Sequence, residues 1–386
     1  MFSYGRQHIT AEDIDAVVEV LSSSYLTQGP ATERFESALA SYCGASYCAS
    51  VNSATSALHL ACLALGVGPG DYVWTSPISF VASANCALYC GASIDFVDIN
   101  ENTYNLCPDR LEEKLSIAKA NGKLPKVVIP VHFGGLPCDL KKIRELADSY
   151  GFHIIEDAAH GIGASYFNSK IGDCRYSDIT VFSFHPVKVI TSAEGGAITT
   201  TSEKLFKKVL ELRSHGITRD PGKLIHDASP WYYEQQNLGF NYRMSDIHAA
   251  LGESQLKRLD SYVNSRNELA NLYNAQFDSS VISTQFVDTG YKSAYHLFSI
   301  KLTTIPDKRK YVFQKLKEAG VGVNVHYIPI HLQPYFRKLG FKKGDFPVAE
   351  AYYNSCITLP LHPQLSKEDQ SRVCRYLKDA INEAAL

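Results

Sequence analysis

Between residues 94 and 155, short apolar runs alternate with stretches whose apolar positions recur every three or four residues. The runs at 94–97, 127–131 and 153–155 show no regular polar alternation, which predicts strands covered on both faces. The stretches at 108–120 and 140–149 have the period of a helix with one buried side. This alternation predicts a parallel sheet with helices on both faces, and such sheets gather ligands at the carboxyl ends of their strands. Further strands are predicted over 72–75, 179–184 and 197–201. Toward the N-terminus, Thr10 opens the word T-A-E-D, a capping-box-like start, and Ile14, Val17, Val18 and Leu21 follow on one helical face. After the turn Y-L-T-Q-G-P a second amphipathic helix carries Phe35, Leu39 and Tyr42. Helical periodicity resumes over 246–272, and a helix over 367–385 closes the chain.

A chain of 386 residues is long for one core, so two domains are expected, a large one over 1–245 and a smaller α+β one over 246–386. The formal net charge of −2, with Lys and Arg spread along the chain, leaves no electrostatic footprint for nucleic acid or an anionic membrane. No apolar run approaches the roughly 18 residues of a spanning helix, and the first residues lack a basic stretch followed by an apolar one. The expected location is cytoplasmic. The ten cysteines read as small buried hydrophobes. No C-x-x-C or H-E-x-x-H word predicts a metal, and Cys86 and Cys90 have no histidine beside them in sequence. G-V-G-P-G-D at 66–71 follows a helix and ends on Asp71, so it reads as a turn into a strand and not as a dinucleotide loop.

The candidate chemistry centres on S-F-H-P-V-K-V-I-T-S-A-E-G-G, Ser183 to Gly196. Lys188 stands on a short excursion between two predicted core strands, after Pro186 and before Gly195 and Gly196. Desolvation there lowers the pKa of an amine and favours the free base that a Schiff-base lysine needs. Asp157 follows the apolar residues of I-I-E-D-A-A-H-G, which puts its carboxylate at a sheet end, while Glu156 points to the opposite face. The word V-N-S-A-T-S-A-L (51–58) brings small hydroxyl residues to a helix start, where they serve either as caps or as a phosphate cradle.

S-F-H-x-x-K followed by T-x-x-E-G-G resembles the pyridoxal-phosphate lysine segment of the DegT/DnrJ/EryC1/StrS sugar aminotransferases, and matching words run from the N-terminus to about residue 335. The resemblance implies a fold type I pyridoxal-phosphate enzyme, an α/β fold. In it Lys188 carries the cofactor, Asp157 pairs with the pyridine nitrogen, Thr55 and Ser56 bind the phosphate, and Phe80 stacks on the ring. His160 contacts the ring hydroxyl, and Ser183 belongs to the same set. For Phe80 the other reading is core packing, and for His160 a buried histidine bonded to backbone. Asn241, in L-G-F-N-Y-R-M-S-D-I, is implied to reach the phosphate of a neighbouring subunit, which predicts a homodimer with shared active sites. On the substrate side the resemblance implies Tyr4, the turn Leu26, Thr27, Gln28 and Gly29, and the segment His326, Tyr327, Pro329 and His331; for the turn an ordinary helix–helix connection is the alternative. The implied reaction transfers an amino group from L-glutamate to C4 of a UDP-linked 4-keto-6-deoxy-N-acetylhexosamine of the pseudaminic acid pathway. Arg243 or His331 would receive the donor carboxylates. A UDP-4-keto-pentose is the alternative sugar, since E-D-A-A-H occurs in that branch too. A dehydratase, which replaces the lysine by histidine, conflicts with Lys188; no sequence feature favours a silent cofactor-binding protein, since Lys188, Asp157, Thr55 and Ser183 are all in place, and only activity would exclude it.

Overall fold

The computed structural model describes residues 2–226 and 229–385. Its centre is a seven-stranded sheet of β1 (Tyr47–Val51), β2 (Tyr72–Thr75), β3 (Ser93–Phe96), β4 (Val127–Ile129), β5 (His153–Asp157), β6 (Ile179–Ser183) and β7 (Gly196–Thr200). The strand order is 1-7-6-5-4-2-3, and β7 alone runs against the others. Side chains alternate between two cores. Val128, Ile154 and Phe182 enter one, with helices α1 (Ala11–Leu21), α2 (Pro30–Cys43), α5 (Pro108–Ala120) and α6 (Leu140–Tyr150). Val127, Ile155 and Val181 enter the other, with α3 (Ala54–Ala64), α4 (Ala82–Tyr89) and α7 (Glu203–Arg213). Two covered faces explain why these strands read as continuous apolar runs. The 66–71 segment is a turn, its Gly68 N–H donating to Asp71 at 2.9 Å.

Across the expected boundary between 245 and 246 the chain continues to pack in the first core. The predicted helix over 246–272 is two helices, α8 (Asp246–Leu256) and α9 (Leu259–Gln276). α8 packs on α1 and α2 and lies in the first core. Its Gly252 is the reason it fits so close, because a Cβ there would stand 2.9 Å from Phe35 Cζ. Buried Asp246 accepts from Gly29 N–H at 3.1 Å and from Thr32 Oγ1 at 2.5 Å, which caps the N-terminus of α2. The crossing to the smaller unit happens inside α9: Leu259, Tyr262 and Val263 belong to the first core, while Leu269, Ala270 and Tyr273 belong to a third. That third core covers an antiparallel sheet of Ile282–Thr284, Phe298–Leu302 and Cys356–Leu359 with the closing helix Lys367–Ala385.

Candidate active site

β6 and β7 are antiparallel neighbours, so residues 184–195 leave the sheet and return at the same end. The excursion is held by its own hydrogen bonds. Phe184 N–H donates to the Gly195 carbonyl at 2.9 Å, while the Phe184 carbonyl accepts from Ser192 N–H and Thr191 Oγ1, each at 2.9 Å. Ala193 takes a left-handed conformation, φ +66°. A Cβ on Gly196 would come within 2.6 Å of Ala54 N, so the glycine lets β7 press against the start of α3. The loop thereby delivers Lys188 into a cavity of about 350 Å³ at the carboxyl ends of β5 and β6. Burial there pulls the Lys188 amine down to about 8, against the opposing pull of the Asp157 charge.

Asp157 ends β5 on the face of the second core, and its carboxylate accepts from Ser83 Oγ at 2.6 Å and from Ala159 N–H at 3.1 Å. Glu156 points to the other face as strand alternation requires, bonded to His132 Nε2 at 2.8 Å and to Thr180 Oγ1 at 3.1 Å. The cavity wall beyond Asp157 carries His160, whose Nδ1 accepts from Gly134 N–H at 3.3 Å. That bond leaves the ring proton on Nε2, 3.2 Å from Tyr327 Oη. Burial first, then the Lys188 and His326 charges, hold His160 well below the ordinary histidine range. His326 lies on the same wall, lowered by burial to about 4 and bonded through Nδ1 to Thr358 Oγ1 at 2.9 Å. Tyr4 packs on it with ring centroids 5.6 Å apart. Phe80 forms the opposite lip, exposed and 6.4 Å from the Tyr327 ring.

At the start of α3 the structure distinguishes the two hydroxyl readings. Ser53, not anticipated as a ligand, is the N-cap residue; its Oγ accepts from Ser56 N–H at 3.1 Å, and it lines the cavity with Ala54 and Thr55. Ser56 is turned inward, donating to Asn52 Oδ1 at 2.6 Å, and does not line the cavity. Cap rules applied one residue earlier would have found Ser53, because N-cap and N3 both carry serine.

Several predicted residues are not brought to this cavity. The turn Leu26 to Gly29 is a structural joint: Thr27 bridges Ser245, the Leu26 carbonyl accepts from Asp246 N–H at 3.0 Å, and Gln28 has φ +55°. Asn241 is exposed and bridges Ser214, outside the cavity of its own chain. Pro329 is buried beside Ile330, whose N–H donates to the Pro77 carbonyl at 2.8 Å. His331 is wholly buried and bonded to Glu350 at 2.9 Å, which removes it from contact with a substrate. Conversely, His185, Glu194 and His296 line the cavity without having been anticipated. His296 follows Tyr295 on a left-handed backbone, φ +43°, and packs at a tilt against His160, ring centroids 4.4 Å apart.

The chain resembles known proteins over nearly its whole length. It is 38% identical over 389 residues to the spore coat polysaccharide biosynthesis protein SpsC of Bacillus subtilis, covering 99% of this chain and 97% of that one. It is 36% identical over 387 residues to the UDP-4-amino-4,6-dideoxy-N-acetyl-beta-L-altrosamine transaminase of Campylobacter jejuni, covering 99% and 96%. Among solved structures, Helicobacter pylori PseC, an aminotransferase involved in the biosynthesis of pseudoaminic acid, superposes with a TM-score of 0.90 at 31% identity over 99% of both chains. Others of similar fold were solved in a PLP form or with bound PMP. With the family profile matching residues 7–378, the chain belongs to the DegT/DnrJ/EryC1/StrS aminotransferase family, enzymes that depend on pyridoxal 5′-phosphate.

Proposed function

We propose that this aminotransferase takes an amino group from L-glutamate and delivers it to C4 of a UDP-linked 4-keto-6-deoxy-N-acetylhexosamine, as part of pseudaminic acid synthesis. The observation that carries the reading is the pairing of a lowered lysine amine with a buried carboxylate in one cavity, Lys188 and Asp157. The choice of sugar leans on the likeness to the Campylobacter jejuni transaminase and to Helicobacter pylori PseC.

The residues present fit pyridoxal phosphate. The N-terminal end of α3 offers unpaired N–H groups and the positive end of its dipole beside Ser53 and Thr55, a fit for the phosphate. Asp157, whose carboxylate accepts from Ser83 Oγ and Ala159 N–H, would hold a proton at the pyridine nitrogen. Phe80 would cover the ring, and His160 would donate from Nε2 to the ring hydroxyl. When bound, the cofactor supplies the electron sink for the Cα–H bond of the donor. Lys188 Nζ would be the base: lowered to about 8, it holds a free-amine fraction near neutral pH, takes the proton from the donor Cα and hands it on within the same half of the cycle, and in the second half delivers a proton to C4 of the sugar. Ser183, at the end of β6, lines the cavity beside Lys188.

On the substrate side, Tyr4, His326 and Tyr327 form a neutral wall suited to sugar hydroxyl and acetamido groups. The Leu26–Gly29 turn and Asn241, which do not line their own cavity, would act in the site of a partner subunit of an isologous dimer. Arg243, bridged through its backbone to Val51, would receive the glutamate carboxylate in place of His331. Binding energy from the UDP handle would orient C4. Assaying purified enzyme with L-glutamate and a panel of UDP-keto-sugars tests the reading. The expected result is the highest kcat/KM for the acetamido 6-deoxy sugar. A higher value for the 4-keto pentose would overturn the substrate, and no amination of any nucleotide-linked ketone would overturn the class.

A further inference from the structure

Three buried histidines line the cavity, His160, His296 and His326, none more than 6% exposed. Two of them are engaged by the protein at both ring nitrogens. His160 bonds to Gly134 N–H and to Tyr327 Oη; His326 bonds to Thr358 Oγ1 through Nδ1, and its Nε2 lies 3.4 Å from Asn324 Nδ2. His296 is the exception. Its Nδ1 is occluded and has no partner, and no hydrogen bond among the described residues reaches its ring, which packs on His160.

The freedom of the ring contrasts with the grip on its backbone. Tyr295 N–H donates to Ser293 Oγ at 3.0 Å, and Arg266 Nη1 donates to the carbonyls of Tyr295 and His296. A Cβ on Gly135 would stand 2.8 Å from Tyr295 N and 3.0 Å from His296 N, so glycine is what lets the large unit approach this segment so closely. Burial first, then His160, Lys188, Arg266 and His326, hold His296 well below the ordinary histidine range, so the imidazole is neutral. A neutral ring carries one proton. On the occluded Nδ1 it would be an orphaned buried N–H, a group that folded proteins avoid. The proton therefore stands on Nε2, and the ring offers the cavity one N–H donor that awaits an acceptor.

We propose that His296 recognises the amino donor, its Nε2–H donating to one carboxylate of L-glutamate. The inference rests on the donor read above, whose two carboxylates need two receivers, and Arg243 accounts for one. Lys188, the one amine among the lining residues, belongs to the cofactor. A neutral N–H on a carboxylate still makes a charge-assisted hydrogen bond. Neutrality also suits a site that two substrates use in turn. Once the keto acid leaves, a guanidinium in this place would stay buried without a partner, whereas a neutral imidazole left unpaired costs far less. Glutamate and the keto acid it becomes carry the same carboxylates, so the bond strengthens the binding of both without speeding the proton transfer between them.

The test titrates the cofactor-loaded enzyme with glutarate, a dicarboxylate that has no amino group to react, and follows the absorbance of the cofactor. The half-reaction with L-glutamate, run without sugar, is then followed in the same way. His296→Phe keeps a ring against His160 and removes the donor. It should weaken glutarate binding and raise the half-saturating glutamate concentration, each about tenfold, with the loss in affinity and not in limiting rate. The cofactor band should stay in place. His296→Gln, which can hold an N–H where Nε2 stood, should recover most of the affinity, and His296→Asn, whose amide reaches only the place of Nδ1, should not. No glutarate binding by the wild type, unchanged affinity in His296→Phe, or glutamine no better than asparagine would overturn the proposal. So would a shifted band and a lower limiting rate at unchanged affinity, which would make His296 a positioning residue for His160. Should His296→Phe not fold, the comparison of His296→Gln with His296→Asn decides alone. A wild-type cofactor that glutamate fails to aminate would overturn the donor read above, and the glutarate titrations would still decide the role of His296.

Discussion

Replacing Lys188 with Met keeps most of the side chain and removes its charge, which isolates the cost of burying an amine in the cofactor-free protein. Burial lowers Lys188 from 10.5 to about 8. At about 1.4 kcal/mol per pH unit the drop corresponds to about 3 kcal/mol against the ammonium in the folded state. The side chain keeps some contact with solvent, so screening reduces the effect to about 2 kcal/mol. Below pH 8 the amine is charged in both states and the whole penalty acts on the fold. Between about 8 and 10.5 the unfolded chain binds the proton that the folded chain has released, so wild-type stability rises with pH. Met lacks this dependence. The cofactor-free Lys188→Met protein should therefore be the more stable by about 2 kcal/mol at pH 7, with the gap closing as pH approaches the ordinary lysine value. Urea unfolding at fixed protein concentration, repeated from neutral to alkaline pH with slopes compared, reads it directly. A pH-independent gap, or a wild type more stable at pH 7, would refute a desolvated amine at this position.

Asp157→Asn keeps the shape and both hydrogen-bond partners but removes the charge; turnover should fall by orders of magnitude while stability shifts by no more than about 1 kcal/mol, and near-normal turnover would count against its role at the pyridine nitrogen. Ser53→Ala should weaken cofactor binding, measured by fluorescence titration, and cost about 1 kcal/mol as a lost cap, whereas Ser56→Ala should leave the affinity unchanged; the reverse pattern would restore Ser56 as the phosphate ligand. Mixing Lys188→Ala with Asn241→Asp subunits should regenerate one good site per mixed dimer, and no recovery despite verified subunit exchange would argue for a self-contained site.

What could be read from the sequence was whatever depends on period and on the chain's immediate neighbours. Strand runs covered on both faces gave away the parallel sheet, alternation separated Asp157 from Glu156, and an isolated lysine between two core strands marked the excursion at 184–195. The missed features depend on pairings between distant residues. Whether Ser53 or Ser56 faces the cavity turns on a single residue of helix start, and boundaries are where periodicity is weakest. α8 looks like the beginning of a linker helix because Ala249, Ala250 and Gly252 are small; they are small because α1 and α2 lie against them. His331 sits in a word that resembles a substrate segment, yet Glu350 claims it. His296 lies in no periodic pattern that would have pointed to a cavity.

The placement of His296 has a physical cause that ties the two units together at the active site. Arg266, on α9 where the chain leaves the first core, is fully buried and has no carboxylate partner among the described residues; burial alone pulls it down to about 10. Its Nη1 donates instead to the carbonyls of Tyr295 at 3.1 Å, His296 at 3.4 Å and Leu361 at 2.8 Å. A buried cation is costly, and so is the left-handed backbone at Tyr295 that it braces. Both costs fall on one segment, which is also bound to the large unit by Ala294 N–H on the Gly135 carbonyl at 3.0 Å and Leu297 N–H on the Gly134 carbonyl at 3.1 Å. Gly134 is the residue whose N–H sets the tautomer of His160. The guanidinium therefore braces from the far side the same turn that aims His160 and His296 into the cavity. That wall adds no carboxylate or amine of its own; those of the cavity, Lys188, Asp157 and Glu194, come from the end of β5 and from the 184–195 excursion.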